Sequence, residues 1–174
     1  MKTLAIIGTA GRKEDAVKLT VKHWNAMCKA AIELVESNTR ITSFVSGGAA
    51  WADHVAVRLA SHYEGRYPLN LWLPAVNQDF QTAQYYHEKF SLVLGRDTWS
   101  EIFNAPSLTY HSLGSFKDRN TKVAEAADHF LAITFGDGPN VKDGGTLDTV
   151  NKMRKRGVPG HHFDLNTFTL HPVL

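Results

Sequence analysis

Short apolar runs alternate along the chain with longer stretches whose apolar residues recur every three or four positions. Thr3 to Ile7 (TLAII) is a run with β-branched residues closed by Gly8, the pattern of a strand buried on both faces. From Asp15 to Glu36 the residues Val17, Val21, Trp24, Met27, Cys28, Ala31, Ile32 and Val35 form a stripe that predicts one long helix packed on a sheet. Ser37-Asn38-Thr39 breaks that pattern, and Ile41 to Val45 is a second strand. A helix over Ala49 to Tyr63 follows, with Val55, Val57, Leu59 and Ala60 on its inner side, and Leu69 to Leu73 is a third strand ended by Pro74. Strand, helix, strand, helix, strand predicts a parallel sheet with right-handed crossovers.

The pattern fades between Ala75 and Ser115. Gln81 to Leu94 reads as helical, with Tyr85, Tyr86, Phe90, Val93 and Leu94 on one face, but the chain from Gly95 onward is mixed. This segment, about 75–115, is expected to be an irregular insertion over the strand ends, a lid or an oligomer contact. Order returns with a helix over Phe116 to Ala127, a strand over His129 to Thr134 and a glycine-rich loop, Phe135 to Lys142. A further helix reaches about Arg156, a strand covers Val158 to Leu165, and the tail with His171 and Pro172 carries no clear pattern. The expectation is therefore one α/β domain over residues 1–174, a Rossmann-like open parallel sheet of about five strands with helices on both faces.

Composition narrows the function classes. A chain of 174 residues with 43% hydrophobic and 21% charged residues can bury a real core as one globular unit. The formal charge of +2 offers no basic face, so a nucleic-acid partner is not expected. Cys28 alone excludes an internal disulfide and sits in a helical stripe, where a buried thiol is expected. No run approaches the roughly 20 apolar residues that span a bilayer, and the MKTLAIIG start is too short for a signal peptide, so a cytoplasmic protein is expected. His87 and His111 are isolated, with no HExxH or CxxC arrangement, so neither a metal nor another cofactor is expected.

The candidate chemistry lies in three glycine turns, each following a predicted strand. They are Gly8-Thr9-Ala10-Gly11-Arg12, Ser46-Gly47-Gly48 and Gly144-Gly145-Thr146. Glycine admits close approaches that a Cβ would block, and the first N–H groups of a helix suit a phosphate or carboxylate. The same features also serve plain helix capping. Arg12 either forks onto a phosphate or is a solvated loop arginine. Asp53 either complements a helix start or accepts from a ligand hydroxyl or base. Arg119-Asn120 puts a poor helix former early in a helix, which marks either a specific contact or a solvent-facing polar pair.

In order along the chain, SGGAAWADHVAVRLA, RNTKVAEAADHFLAI and GGTLDTV resemble the SLOG superfamily. Its Rossmann-like domains include the cytokinin-activating LOG proteins, the DprA-type DNA-processing proteins and small stand-alone nucleotide sensors. The stand-alone pattern is the most similar: SGGA-x-x-AD, an RN pair, D-x-x-x-A in a strand, and GGT with a following acidic residue. The resemblance implies a nucleotide or nucleotide-derived ligand held by Ser46, Gly47, Gly48, Asp53, Arg119, Asn120, Gly144, Gly145 and Thr146, and a homodimer or higher oligomer. LOG-type phosphoribohydrolases read PGGxGTxxE, and the position of their catalytic glutamate is Thr149 here, with Asp148 one residue early. A glycosidase cleaving the base–sugar bond of a nucleoside monophosphate would have to rely on Asp148 or Asp53. The third alternative is an interaction protein that keeps the turns without using them.

Overall fold

β1 (Lys2–Gly8) lies at the centre of the molecule. Its alternation sends Leu4 and Ile6 into one apolar core and Ala5 and Ile7 into another, so both faces of the strand are covered. It pairs in parallel with β2 (Ile41–Ser46) on one side and with β5 (His129–Thr134) on the other. The sheet continues through β3 (Leu69–Leu73) to β4 (Leu108–Ser112), and in the opposite direction through β6 (Gly160–Asp164) to β7 (Thr169–Val173). The computed structural model describes residues 1–173.

The result is a Rossmann-like open sheet of seven strands in the order β4-β3-β2-β1-β5-β6-β7, parallel except for β7. The two strands beyond the expected five are the two edges, β4 and β7. Both are largely solvent-facing, so neither carries the continuous apolar run by which a central strand announces itself.

Helices cover both faces. α2 (Val21–Ser37) and α3 (His54–His62) contribute to the first core, with Trp24, Met27, Val55 and Leu59 buried against Leu4 and Ile6. α6 (Phe116–Ala126) and α7 (Gly145–Lys155) close the second with Val123, Val150 and Met153.

Two expectations need correction. The single helix over residues 15–36 is broken into α1 (Asp15–Lys18) and α2. Thr20 is extended at the break, and its backbone N–H donates to Nδ1 of His23 at 3.2 Å, which fixes a new helix start. The break leaves Asp15 on a short turn beside the site rather than on the long helix. The segment 75–115 is an ordered crossover, not an irregular excursion. It comprises α4 (Asn77–Leu94), α5 (Thr98–Phe103) and β4. Phe90 and Ile102 are fully buried in the first core and tie the crossover to the sheet. Cys28 is buried, and burial pushes its thiol up to about 12. No helix among the described residues is long and apolar enough to cross a membrane.

Candidate functional site

All three glycine turns lie at the carboxyl end of the parallel strands, where chain order reverses between β1 and β5. A cleft of about 410 Å³ opens there. Gly8, Thr9, Arg12, Gly47, Asp53, Arg119, Asn120, Gly144, Gly145 and Thr146 line it, residues drawn from all three turns, from the short turn Trp51–Asp53 and from the start of α6.

The wall nearest α7 is open backbone. Gly144 has φ +134° and ψ −157°, a conformation essentially confined to glycine, and it starts the helix with no side-chain cap. Side chains added at Gly144 or Gly145 would meet no atom. The first N–H groups of α7 thus have no side-chain cap and carry the positive end of the helix dipole, while just before them the Gly144 N–H donates to Oδ1 of Asp143 at 3.1 Å. α6, which starts beside the same cleft, is closed by a capping box between Ser115 and Asp118.

The opposite wall carries two arginines. Arg119 is 7% exposed; its Nη1 donates to the Gly47 carbonyl and, at 3.3 Å, to Oδ2 of Asp53. The same carboxylate oxygen accepts the Ala49 N–H at 3.1 Å. Burial disfavours charge on both partners, pushing the Asp53 carboxyl up and the Arg119 guanidinium down, and each opposes the other's shift. The Arg12 guanidinium carbon lies 4.7 Å from the centre of the Phe116 ring and 5.0 Å from that of Tyr86, and Arg119 lies 5.1 Å from Phe116. The Nε atoms of both arginines are buried without a hydrogen-bond partner. Arg119 is neutralised by Asp53, whereas Arg12 makes no ion pair among the described residues.

At the mouth, Nζ of Lys142 donates to Oε1 of Glu14 at 2.7 Å and to Oδ1 of Asp15 at 2.9 Å. The hydrogen bonds to Glu14 and then Asp15 hold its pKa above the ordinary lysine value. The other Asp15 oxygen accepts the Thr9 hydroxyl at 2.6 Å. Beneath, Thr134 Oγ1 accepts the Lys142 backbone N–H at 3.0 Å and lies 2.7 Å from Nε2 of His162. His162 Nδ1 lies 2.6 Å from the Gly138 carbonyl. A carbonyl only accepts, so Nδ1 carries the proton and Nε2 takes the Thr134 hydroxyl. This chain of bonds fixes the loop that delivers Lys142 and Gly144.

No known family profile and no solved structure matches the chain. It is 34% identical over 170 aligned residues to an uncharacterized protein of Acanthamoeba polyphaga mimivirus, covering 87% of this chain and 90% of the viral protein. The chain belongs to the family of that viral protein.

In this member of the family, four expected site residues lie off the cleft. Gly11 backs onto the Trp51 ring, and Ser46 donates its hydroxyl to the Ile6 carbonyl at 2.6 Å in the sheet. Gly48 is enclosed by Leu73, and its carbonyl accepts Nε2–H of His87 at 2.9 Å. Asp148 is exposed and does not line the cleft; the next residue, Thr149, does, with its hydroxyl donating to the Gly145 carbonyl at 3.0 Å. One step along a helix turns a side chain by about 100°. Asp53 does line the cleft, but as the partner of Arg119. Lys142, Asp15, Thr134 and Phe116 line it too and were not singled out from sequence. Lys142 and Asp15 are 127 residues apart, and no local pattern joins them.

Proposed function

We propose that this cleft binds a nucleotide or nucleotide-derived ligand, a nucleoside phosphate or an NAD- or ADP-ribose-like compound. One observation carries the reading: the uncapped start of α7, open in front of Gly144 and Gly145, shares the cleft with two arginines whose buried Nε atoms lack partners. Buried donors without acceptors are costly, and a bound anion would supply acceptors on both walls. The phosphate end of the ligand would rest on the α7 amides with Arg12 as the unpaired cation. The Phe116 and Tyr86 rings beside Arg12 hold the guanidinium by cation–π contact. The acidic groups at the mouth, Glu14 and Asp15, are suited to ribose hydroxyls once Lys142 shifts. The resemblance to the SLOG superfamily points the same way and belongs to this proposal.

Hydrolysis of the base–sugar bond has weaker support. The residue at the glutamate position of the LOG-type motif is Thr149, which has no carboxylate, and Asp148 is outside the cleft. A binding protein of the cytoplasm is the reading we adopt.

Mass spectrometry of small molecules released by denaturing the purified protein tests it, alongside titration calorimetry with nucleoside mono-, di- and triphosphates, NAD and ADP-ribose. Saturable binding that weakens roughly tenfold or more in Arg12→Ala, the range for loss of a charged hydrogen bond, is the expected result. Absence of binding across the panel would overturn the proposal. Catalytic release of free base from a nucleoside monophosphate would replace it with the glycosidase.

A further inference from the structure

The two edges of the sheet are finished differently. β7 ends the sheet in an antiparallel hairpin and carries Pro172, which has no N–H to offer a further strand. β4 ends it with Leu-Thr-Tyr-His-Ser, a strand free of proline, bulge and charge. The uncharged run is longer than the strand: from Asn104 to Phe116 there is no Asp, Glu, Lys or Arg. Natural sheets blunt exposed edges with those very residues, so an unblunted edge calls for a partner.

The register says which backbone groups are free. Leu69 N–H donates to the Ser107 carbonyl at 3.0 Å, and Leu113 N–H donates to the Leu73 carbonyl at 3.0 Å. Odd-numbered residues therefore face β3. By the alternation of a parallel ladder, Leu108, Tyr110 and Ser112 point their N–H and C=O groups away from it. Beside this edge the apolar side chains of Phe103, Tyr110 and Leu113 are 45%, 43% and 38% exposed, and the Phe103 and Tyr110 rings are 5.8 Å apart.

We propose that β4 is the dimer interface of this protein, pairing antiparallel with β4 of a second copy about a two-fold axis at Tyr110. The spacing is self-complementary. With Tyr110 opposite the same residue of the second copy, Leu108 falls opposite Ser112 and every outward N–H meets an outward carbonyl. The second copy brings no charge to the strand, so no like charges meet across the pair, and Tyr110, with the Phe103 ring beside it, meets its own copy across the axis. The two sheets join into one, edge to edge, and the candidate clefts stay open at the strand ends.

Sedimentation velocity or light scattering on the full chain tests this, with Tyr110→Lys as the variant. Tyr110 is on the surface, so the fold is retained, which circular dichroism verifies. Wild type at dimer mass and Tyr110→Lys at half that mass is the expected outcome. Leu108→Lys gives a second reading at the same edge, and amide exchange at Leu108, Tyr110 and Ser112 is slow in wild type and fast in the variants. A monomeric wild type, or a dimer that survives both substitutions with these amides exchanging fast, overturns the interface.

Discussion

The turn after β2 and the turn before α7 both carry paired glycines beside one cleft, and the space in front of them differs. At Gly47 and Gly48 it is filled: the Arg119 guanidinium and the Asp53 carboxylate press on Gly47, Leu73 on Gly48, and His87 takes the Gly48 carbonyl. At Gly144 and Gly145 no atom lies within 4 Å of where a Cβ would stand; the Gly144 N–H is taken by Oδ1 of Asp143 at 3.1 Å, and no side chain caps α7 itself. The first pair makes room for protein, whereas the space before the second is open, and there the proposed ligand would sit. A glycine pair at a strand end thus marks close approach, and only the surrounding side chains tell which kind.

The comparison breaks most readily at Asp53. Asp53→Ala removes the only carboxylate paired with the buried Arg119 among the described residues and leaves that cation uncompensated. Such a loss costs about 3–5 kcal/mol. Urea denaturation should show it as a fall in unfolding free energy; a change below about 1 kcal/mol would mean that Arg119 finds solvent instead. Gly47→Ala comes next. Its Cβ would overlap the Arg119 guanidinium, and because Nη1 is held by the Gly47 carbonyl and the Asp53 carboxylate, overpacking of about 1–3 kcal/mol is expected in the same assay.

The filled turn also carries a pH signature. Burial, and then the neighbouring His54, push the pKa of His87 down to about 3. The unfolded chain regains the ordinary histidine value and takes up a proton that the native state refuses. Stability is therefore full above about pH 6.5 and declines as pH falls toward 3, by at most about 1.4 kcal/mol per pH unit from this group. His129, with a pKa of about 4 through burial, adds to the same trend. Thermal unfolding between pH 7 and about pH 4.5 should show a shallower slope in His87→Gln than in wild type; parallel slopes would exclude His87 as a contributor.

The sequence made the centre of the molecule legible and the periphery not, for one physical reason. β1 and β5 are buried on both faces and appear in the chain as apolar runs, Leu4 to Ile7 and Phe130 to Ile133, while β2 and β3, interrupted by Thr42-Ser43 and by Asn70, still carry mostly buried apolar residues. β4 and β7 are edges with mixed side chains, and the Leu19–Thr20 break depends on a capping bond made by His23, which no apolar period records. The site follows the same division. Gly144, Gly145, Arg12 and Arg119 carry local signals, glycine pairs or polar residues at a helix start. The Lys142–Glu14–Asp15 link and the Phe116 ring under both arginines arise from contacts between distant segments. Asp148 and Thr149 show the limit most sharply: adjacent in sequence, they face different surroundings because the helix turns between them.

The smallest expected change in stability sharpens the comparison from the open side. Gly145→Ala places a methyl group where no atom lies within reach, in the first turn of α7, with no positive φ to strain. Alanine restricts the unfolded chain more than glycine does, so stability should stay level or rise by up to about 1 kcal/mol. The same methyl group stands in the space where the proposed phosphate approaches the helix amides, so affinity for any nucleotide found in the binding panel should drop while the fold is untouched. Gly47→Ala is expected to do the reverse in kind, lowering stability first. If Gly145→Ala bound ligand as wild type does, the empty space before α7 would not be the phosphate seat, and the ligand would have to lie against Arg12 and the mouth alone.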